Sequence, residues 1–412
     1  MELYDIVIIG AGPAGLMAAG HASELGARVL VLEKNNQAGI KLLMTGGGRC
    51  NFTNIASKKV FADSFGVNGK WLLSGLSIFG PEEIINFFAE RDINSSANDE
   101  GKVYPINGSA LKIRDALINY VESNGGKIIY NLRIIKVIAE NELIAKIVLA
   151  DRSEIKINKL IISTGGNSYP LSGSSGDAYD WLKELGHKVV KVHPALSQII
   201  IKENFVKVLE GLSFKSCLLT VYKNNKILKS ESGDFIFTAR GLSGPTALNL
   251  SRYITLEDKH NLTVKIDFFP EESFSELDIK LLVLLTENGK ESIRNILSKL
   301  IQKRLVDHIL MSLNIEASKK AADISRKDRN LIVKLLKELS LSVLDVAGFN
   351  EAMISSGGVS LKEVEQKTMA SKLYKNLYFA GEILDLDGPT GGFNLQVAWT
   401  SGYLAGESAA LR

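Results

Sequence analysis

The stretch Tyr4-Asp5-Ile6-Val7-Ile8-Ile9-Gly10-Ala11-Gly12-Pro13-Ala14-Gly15 decides the fold of this chain. It begins with a short apolar run rich in β-branched side chains, which is typical of a strand buried on both faces of a parallel sheet. The glycine pattern GxGxxG follows directly. Residues Leu16–Leu25, closed by Gly26, then predict a helix, and Arg28–Leu32 predict a second strand. The opening of the chain therefore predicts a βαβ unit.

Each glycine of this pattern has a mechanical role. Gly10 allows a tight turn, Gly12 lets the backbone approach a pyrophosphate group, and Gly15 lets the helix pack closely on the strand. Glu33 follows at a spacing of about 20 residues, where an acidic side chain accepts hydrogen bonds from an adenosine ribose and would repel a 2′-phosphate. The segment therefore predicts a dinucleotide-binding site.

A second glycine-rich element near the C-terminus distinguishes FAD from NAD. Residues Asn376–Ala380 predict a strand, residues 381–394 form an acidic and glycine-rich loop, and Leu395–Ala410 predict a helix. An NAD site has no need of this additional element, whereas FAD must be held along its whole length. We expect the helix start at Thr390-Gly391-Gly392 to face the pyrimidine edge of the flavin ring.

Three segments resemble the glutathione-reductase-type FAD flavoproteins, and more closely a bacterial family of NAD(P)/FAD-dependent oxidoreductases that includes aminoacetone oxidase and flavin reductases of bile-acid breakdown. They are Gly39–Asn51, Thr164–Pro170 with Gly176-Asp177, and Leu377–Asn394. The resemblance covers nearly the full length and implies a Rossmann-type FAD domain with non-covalently bound FAD. Its middle is matched mainly through Gly233–Pro245, where the family usually has a histidine after the threonine. This chain has Thr238-Ala239-Arg240 there, so no histidine role is transferred.

The motifs and the resemblance together assign a set of cofactor-binding residues, and no metal ligands. The expected FAD contacts are Gly10, Gly12, Pro13, Ala14, Gly15, Glu33, Lys34, Lys41, Gly46, Gly47, Arg49, Asn51, Thr164, Gly165, Gly166, Gly381, Glu382, Asp385, Gly391, Gly392 and Asn394.

Catalytic residues are not identified by the sequence, because flavin chemistry belongs mostly to the cofactor. Cys50 beside Arg49 could be a thiol of low pKa, but a buried structural cysteine is the favoured interpretation. Tyr169, His187 and His193 could each donate a proton, and a structural role is favoured for the histidines.

The fold class is predicted as α/β, a Rossmann-type domain formed by residues 1–189 and 346–412 with two inserted parts. Residues 190–270 contain short alternating strands and predict an all-β, barrel-like unit. Residues 271–345 predict a helical cluster, since Ile293, Leu297, Ile301, Leu305 and Ile309 recur at helical spacing. Within the first domain, residues 127–157 predict a β-meander beside the parallel sheet.

Composition limits the class of function. The 49 basic residues are balanced by 46 acidic ones, and basic pairs such as Lys319-Lys320 are interrupted by acids, so nucleic acid is an unlikely partner. Two cysteines allow neither a disulfide framework nor a CxxC motif. No stretch predicts a membrane span or a signal peptide, which favours the cytoplasm. The sequence does not predict an oligomeric state.

Three functions remain open from the sequence. The leading one is an FAD-dependent oxidoreductase that delivers hydride to an activated double bond of a small organic substrate, with NAD(P)H docking only transiently as reductant. The second is an amine oxidase-like enzyme that passes electrons to oxygen. The third is an FAD-bearing protein associated with RNA or the ribosome.

Overall fold

The computed structural model describes residues 4–411, which form two compact units. One unit runs up to Pro194 and resumes at Ala352, and the other is Ala195–Glu351. Each unit has its own cluster of buried hydrophobic side chains. Both boundaries between the units lie a few residues further along the chain than the predicted 189/190 and 345/346.

The first part of the chain alternates short strands with helices. They are β1 (Ile6–Ile9), α1 (Pro13–Glu24), β2 (Val29–Leu32), α2 (Ile40–Leu43), β3 (Thr53–Asn54), α3 (Lys58–Asp63), α4 (Gly69–Ile78), α5 (Pro81–Ala89), β4 (Ser95–Ala97), β5 (Lys102–Pro105), α6 (Ala110–Ser123), β6 (Lys127–Ile129), β7 (Ile134–Glu140), β8 (Leu143–Leu149), β9 (Glu154–Lys156), β10 (Lys159–Ile162), α7 (Asp177–Glu184) and β11 (Val189–Ala195).

The second unit and the final segment supply the remaining elements. They are β12 (Ile199–Ile201), β13 (Ser213–Lys223), β14 (Lys226–Thr238), β15 (Gly241–Ser243), α8 (Pro245–Ile254), β16 (Leu262–Asp267), α9 (Phe274–Glu287), α10 (Ile293–Ser298), α11 (Lys303–Ser312), α12 (Arg326–Lys337), β17 (Leu339–Val346), β18 (Ile354–Val359), β19 (Leu377–Phe379) and α13 (Phe393–Leu411). No helix within residues 4–411 combines the length and the apolar character that crossing a membrane requires.

A parallel five-stranded sheet organises the first unit, with strand order β19-β10-β1-β2-β6. Strands β1 and β2 are buried along their whole length, as their apolar sequences predict for a parallel sheet covered on both faces. Because all five strands run in the same direction, the loops that follow them meet at one edge. This carboxyl edge therefore gathers the loops that begin at Gly10, Glu33, Ser163 and Ala380.

Glycines bring the strand and helices of this unit close together. A Cβ at Gly15 would overlap the Gly10 carbonyl oxygen, so α1 approaches the end of β1 more closely than a side chain would allow. Gly402 and Gly406 on α13 likewise face the carbonyl oxygens of Ala14 and Ala18 on α1, where a Cβ would overlap them. The two helices that border the carboxyl edge are thus packed backbone to backbone.

The meander is present, but it is shorter than the sequence indicates. Strands β7, β8 and β9 form an antiparallel sheet. Lys127–Ile129, which the sequence analysis placed with the meander, instead pairs with β2 in the parallel sheet. A strand this short carries no reliable periodicity, so only its pairing partner decides its sheet.

The second unit is a closed six-stranded barrel with strand order β12-β15-β14-β13-β16-β17, together with helices α8 to α12. Strand β17 belongs to the barrel, although residues 271–345 were predicted as helical. Leu339, Leu341 and Val343 are buried while their neighbours are not, so this strand has the period of two that the preceding helix lacks. The single helical repeat predicted from Ile293 to Ile309 is divided between α10 and α11.

Candidate cofactor site

The loop after β1 leaves open space where a phosphate group would lie. Gly10 has a φ of +101°, which favours glycine, and Gly12 precedes α1. A Cβ at Gly12 would meet no atom within 4 Å. Pro13 and Ala14 form the first turn of α1, whose N-terminal N–H groups point out of the helix. This cradle fits the pyrophosphate of FAD, because a helix N-terminus attracts anions and no side chain fills the approach.

Glu33 connects the end of β2 to the glycine loop. Its side chain is 8% exposed, and its carboxylate accepts hydrogen bonds from the backbone N–H of Ala11 and of Asn35, both at 2.9 Å. A carboxylate has about four acceptor positions, so two remain for ribose hydroxyls. The ribose contact assigned from sequence stays a prediction that this geometry allows.

The segment after β10 returns across the carboxyl edge to the end of β2. Lys34 Nζ pairs with the Asp177 carboxylate at 3.0 Å and also donates to Ser175 Oγ. Asn35 Nδ2 donates to the Ser172 carbonyl at 3.0 Å. Lys34 therefore lies at the predicted adenosine end, with its ammonium group held by this segment.

Two residues at the start of that segment bear on cofactor binding. Gly165 has a φ of +74°, and a Cβ there would overlap Ser174 Oγ. The Thr164 hydroxyl is buried and has no hydrogen-bond partner among residues 4–411. A buried hydroxyl without a partner is costly, which is consistent with a ligand contact at Thr164.

Four distant segments meet at the Glu382 carboxylate. It accepts from Lys41 Nζ at 2.8 Å, from Ser168 Oγ at 3.0 Å and from the Ser355 backbone N–H at 2.8 Å. Lys41 Nζ also donates to Ser168 Oγ. A Cβ at Gly166 would come within 2.7 Å of Glu382 Oε1, so only glycine leaves room for the carboxylate. The structure thus joins Lys41, Gly166 and Glu382, which the sequence analysis assigned separately.

The triple-glycine loop presents bare backbone. Gly46, Gly47 and Gly48 have φ values of +57°, +64° and +86°, and Cβ atoms at Gly47 and Gly48 would meet nothing within 4 Å. The Arg49 guanidinium lies 4.9 Å from the centre of the Tyr104 ring. An open glycine surface beside an arginine suits the approach of a flat ring.

Cys50 and Asn51 follow this loop, and their side chains have different surroundings. Asn51 Oδ1 is buried without a hydrogen-bond partner in the described chain, which is consistent with a ligand contact. Cys50 is fully buried with a φ of +61°, and burial raises the pKa of its thiol to about 12. Such a thiol is protonated at neutral pH, so the packing interpretation of Cys50 is the one that the geometry supports.

The remaining candidate proton donors differ in their surroundings. His187 is buried between Glu363 Oε2 and Ser371 Oγ, each 3.0 Å from a ring nitrogen, and burial lowers its pKa. This pairing fits the structural role favoured from sequence. His193 lies on β11, and Tyr169 has a φ of +50° directly after Ser168.

The C-terminal loop leads into α13 as predicted. Gly391 and Gly392, with φ values of +113° and +95°, directly precede the helix, and a Cβ at Gly392 would overlap the Thr53 carbonyl oxygen. Gly381, with a φ of +79°, starts this loop. Asn394 accepts from the Gly388 N–H at 2.8 Å and donates to the Gly388 and Pro389 carbonyls. Its side chain therefore braces the loop.

Asp385 lies in the same loop. Its backbone carbonyl accepts from Asn68 Nδ2 at 2.9 Å, and burial raises the pKa of its carboxyl group. Ser168, Ser355 and Asp177 were not singled out from sequence as site residues. A serine in a strand or a loop gives no pattern that would have identified it, and Ser355 acts partly through its backbone.

These features define a dinucleotide-binding Rossmann domain of the kind that holds FAD. The sequence profile of the HI0933-like protein Rossmann domain matches residues 4–408, and the chain belongs to this family. It is 30% identical over 413 residues to a 3-dehydro-bile acid delta(4,6)-reductase of Clostridium scindens, covering 99% of both chains. It is also 29% identical over 406 residues to a ribosomal RNA dihydrouridine synthase of Haemophilus influenzae, covering 98% of this chain and 97% of that protein.

Solved structures agree in fold. A 3-ketosteroid-delta4-(5alpha)-dehydrogenase from Rhodococcus jostii superposes with a TM-score of 0.56 at 15% identity, covering 99% of this chain and 97% of that chain. The 3-ketosteroid delta1-dehydrogenase from Sterolibacterium denitrificans gives the same TM-score at 11% identity, covering 99% of both. Together with the family, the fold makes this protein an FAD-dependent oxidoreductase. The resemblance noted from sequence is confirmed.

Proposed function

We propose that this protein delivers hydride from reduced FAD to a carbon–carbon double bond conjugated with a carbonyl group in a small organic molecule, and that NAD(P)H reduces the flavin. The observation that carries the proposal is the similarity over nearly the whole chain to a relative named 3-dehydro-bile acid delta(4,6)-reductase. A 3-dehydro compound carries a ketone, and conjugation with a ketone makes a double bond receptive to hydride.

The chain's own groups fit this reaction. FAD supplies the hydride, and the protein supplies position and charge. The start of α13 offers N–H groups that stabilise negative charge, and Gly47 and Gly48 leave an uncovered surface against which the flavin ring can lie. Nicotinamide binding would be transient, because among residues 4–411 the GxGxxG pattern occurs once, in the loop after β1.

A second candidate substrate is a uridine in RNA. Two relatives, from Haemophilus influenzae and Escherichia coli, are named ribosomal RNA dihydrouridine synthase and match 98% of this chain. The uracil double bond is also conjugated with a carbonyl, so the same hydride chemistry would serve. The nearly balanced charge of the chain, with a formal net charge of +3, favours the small molecule.

Anaerobic stopped-flow mixing tests these alternatives. We expect NADH or NADPH to bleach the flavin absorbance, and a ketone with a conjugated double bond to restore it with formation of the saturated product. A uridine-containing ribosomal RNA fragment and a panel of amines are tested in parallel as the alternative substrates. Reoxidation by RNA alone would favour the second candidate. Flavin reduction by an amine, followed by reoxidation when oxygen is admitted, would favour an amine oxidase.

A further inference from the structure

The first turn of α13 is joined to β3 by a buried hydrogen-bond network. The Thr53 hydroxyl donates to Gln396 Oε1 at 2.6 Å, and both residues are fully buried. The Gln396 amide nitrogen donates to the Phe79 carbonyl at 3.3 Å and to Thr400 Oγ1 at 3.1 Å. Thr400 Oγ1 in turn donates to the Phe79 carbonyl at 2.7 Å. Both N–H donors and the oxygen of the Gln396 amide are therefore used within the protein.

Two further hydrogen bonds hold the same two elements together. Trp399 Nε1 donates to the Phe52 carbonyl at 2.8 Å, and Asn54 Nδ2 donates to the Gly391 carbonyl at 3.0 Å. Trp399 and Phe52 are fully buried, and Asn54 is nearly so. The start of α13 is thus attached to β3 and its neighbours at several points, with Gln396 in the middle.

This network connects the two segments at which the flavin ring is expected. Strand β3 lies a few residues after the triple-glycine loop, and α13 directly follows Gly391 and Gly392. The glycines in both segments carry no side chains that could hold the backbone in place, so the restraint has to come from the residues behind them. The adenosine end of the site is built separately, from β1, α1 and β2.

Stability alone does not require a polar pair at this position. Replacing both partners of a buried hydrogen bond by apolar groups of similar shape is often nearly neutral for stability. A buried network with every member satisfied adds rigidity, because it allows a single arrangement of the groups that it joins. At Gln396, that arrangement is the spacing between the triple-glycine loop and the start of α13.

We propose that Gln396 is a positioning residue for the flavin ring, and that it acts through Thr53 by holding the triple-glycine loop at a fixed distance from the start of α13. The proposal rests on the expected location of the ring at these two segments, and it involves no contact between Gln396 and FAD. Since it concerns the cofactor only, it is independent of the substrate proposed above.

Three single variants test this role. Gln396→Met and Thr53→Val each remove one partner of the bond, whereas Thr53→Ser keeps the hydroxyl. Calorimetric titration of each apoprotein gives the dissociation constants of FAD and of ADP, which lacks the flavin ring. We expect Gln396→Met and Thr53→Val to weaken FAD severalfold and to leave ADP unchanged. Thr53→Ser should match wild type for both ligands.

The midpoint potential of the bound flavin is the second measurement. A displaced helix start stabilises the negative charge of the reduced ring less well, so the potential should fall in Gln396→Met and in Thr53→Val. Unchanged FAD affinity and potential in these two variants would overturn the proposal, as would an equal weakening of ADP. If Gln396→Met does not fold, Thr53→Val tests the same bond from the other element.

The double variant Thr53→Val/Gln396→Met separates positioning from stability. It places an apolar group against an apolar group, so its thermal unfolding midpoint should lie closer to that of wild type than the midpoints of the single variants do. Its FAD affinity and flavin potential should nevertheless equal those of Gln396→Met, because both variants lack the same bond. A return of affinity and potential to wild-type values would overturn the proposal, since packing alone would then position the ring.

A matched buried amide controls for general loosening of the unit. Asn376 accepts from the Ile144 N–H at 2.8 Å and donates to the carbonyls of Ile144 and Asn158 at 2.9 and 2.8 Å. It precedes β19, at the edge of the sheet opposite the glycine loops. Asn376→Leu should lower the unfolding midpoint but leave FAD affinity and the flavin potential unchanged. The same flavin changes in Asn376→Leu as in Gln396→Met would mean that any loss of buried hydrogen bonds disturbs the ring, which would overturn the assignment.

Discussion

At the scale of single residues, Cys50 illustrates how burial overrides a suggestive neighbour. Arg49 adjoins it in sequence, and a guanidinium could lower a thiol pKa. The Arg49 side chain instead lies over the Tyr104 ring, and the thiol is fully buried. Desolvation then dominates and raises the pKa of Cys50 to about 12. Whether the Cys50 thiol can ionise therefore depends on its burial and on the position of the Arg49 side chain.

We therefore expect Cys50→Ala to retain FAD affinity and turnover while losing about 1–3 kcal/mol of unfolding free energy from lost packing. Native protein at pH 8 should react with iodoacetamide much more slowly than a free thiol, because almost no thiolate is present. Mass spectrometry of the alkylated protein and urea unfolding measure the two effects. Cys217, whose pKa burial also raises to about 12, is the internal control. Rapid alkylation of native Cys50, or loss of turnover in the variant, would contradict this view.

At the scale of elements, the carboxyl edge of the sheet depends on two helix starts. Helix α1 begins beyond the open space at Gly12, and α13 begins beyond two glycines in left-handed conformations. Glycine contacts pack the two helices side by side, with Gly402 against Ala14 and Gly406 against Ala18. A helix N-terminus is equivalent to about half a positive charge, so the arrangement favours anionic groups at this edge.

Thr390→Asp should consequently lower the midpoint potential of the bound flavin. The added carboxylate opposes the negative charge of the reduced ring, an effect of about 0.3–2 kcal/mol, or tens of millivolts at most for a two-electron couple. Anaerobic titration with FAD still bound gives the potential. Asn158→Asp is the control, because this exposed residue precedes β10 at the opposite edge of the sheet. A potential equal to or above that of wild type would show that the start of α13 lies away from the ring.

At the scale of the whole molecule, the inserted unit has the features of an independent folding domain. Its barrel is closed and its hydrophobic cluster is separate. A hydrogen bond links its two ends, in which the Ala347 N–H donates to the Gln198 carbonyl at 2.8 Å. Strands β12 and β17 pair beside that bond. An insertion whose two ends meet costs its host little loop entropy.

A protein consisting of residues 195–351 should fold alone. We expect a single cooperative thermal transition by circular dichroism and no FAD binding by fluorescence, since the glycine loops all lie in the other unit. Full-length protein that binds FAD is the positive control. A broad, non-cooperative transition of the fragment would refute the independence of this unit.

The sequence by itself determined the features that consecutive residues encode. The run Ile6–Gly15 specified a buried strand, a glycine turn and a helix start, because periodicity and positive φ are local requirements. A second glycine-rich helix start then indicated FAD. The alternation of Leu339, Leu341 and Val343 was also present, but the neighbouring helical pattern concealed it.

Only the tertiary structure decided which donor meets which acceptor. Lys41 and Glu382 are 341 positions apart, and no local pattern relates them. The Asn394 amide braces its own loop, while its expected cofactor contact stays a prediction, and Cys50 is fully buried. Such pairings depend on how distant segments cross at the carboxyl edge of the sheet. Since each bond is set by packing across the whole unit, the chemistry of this site follows from the fold and not from its motifs alone.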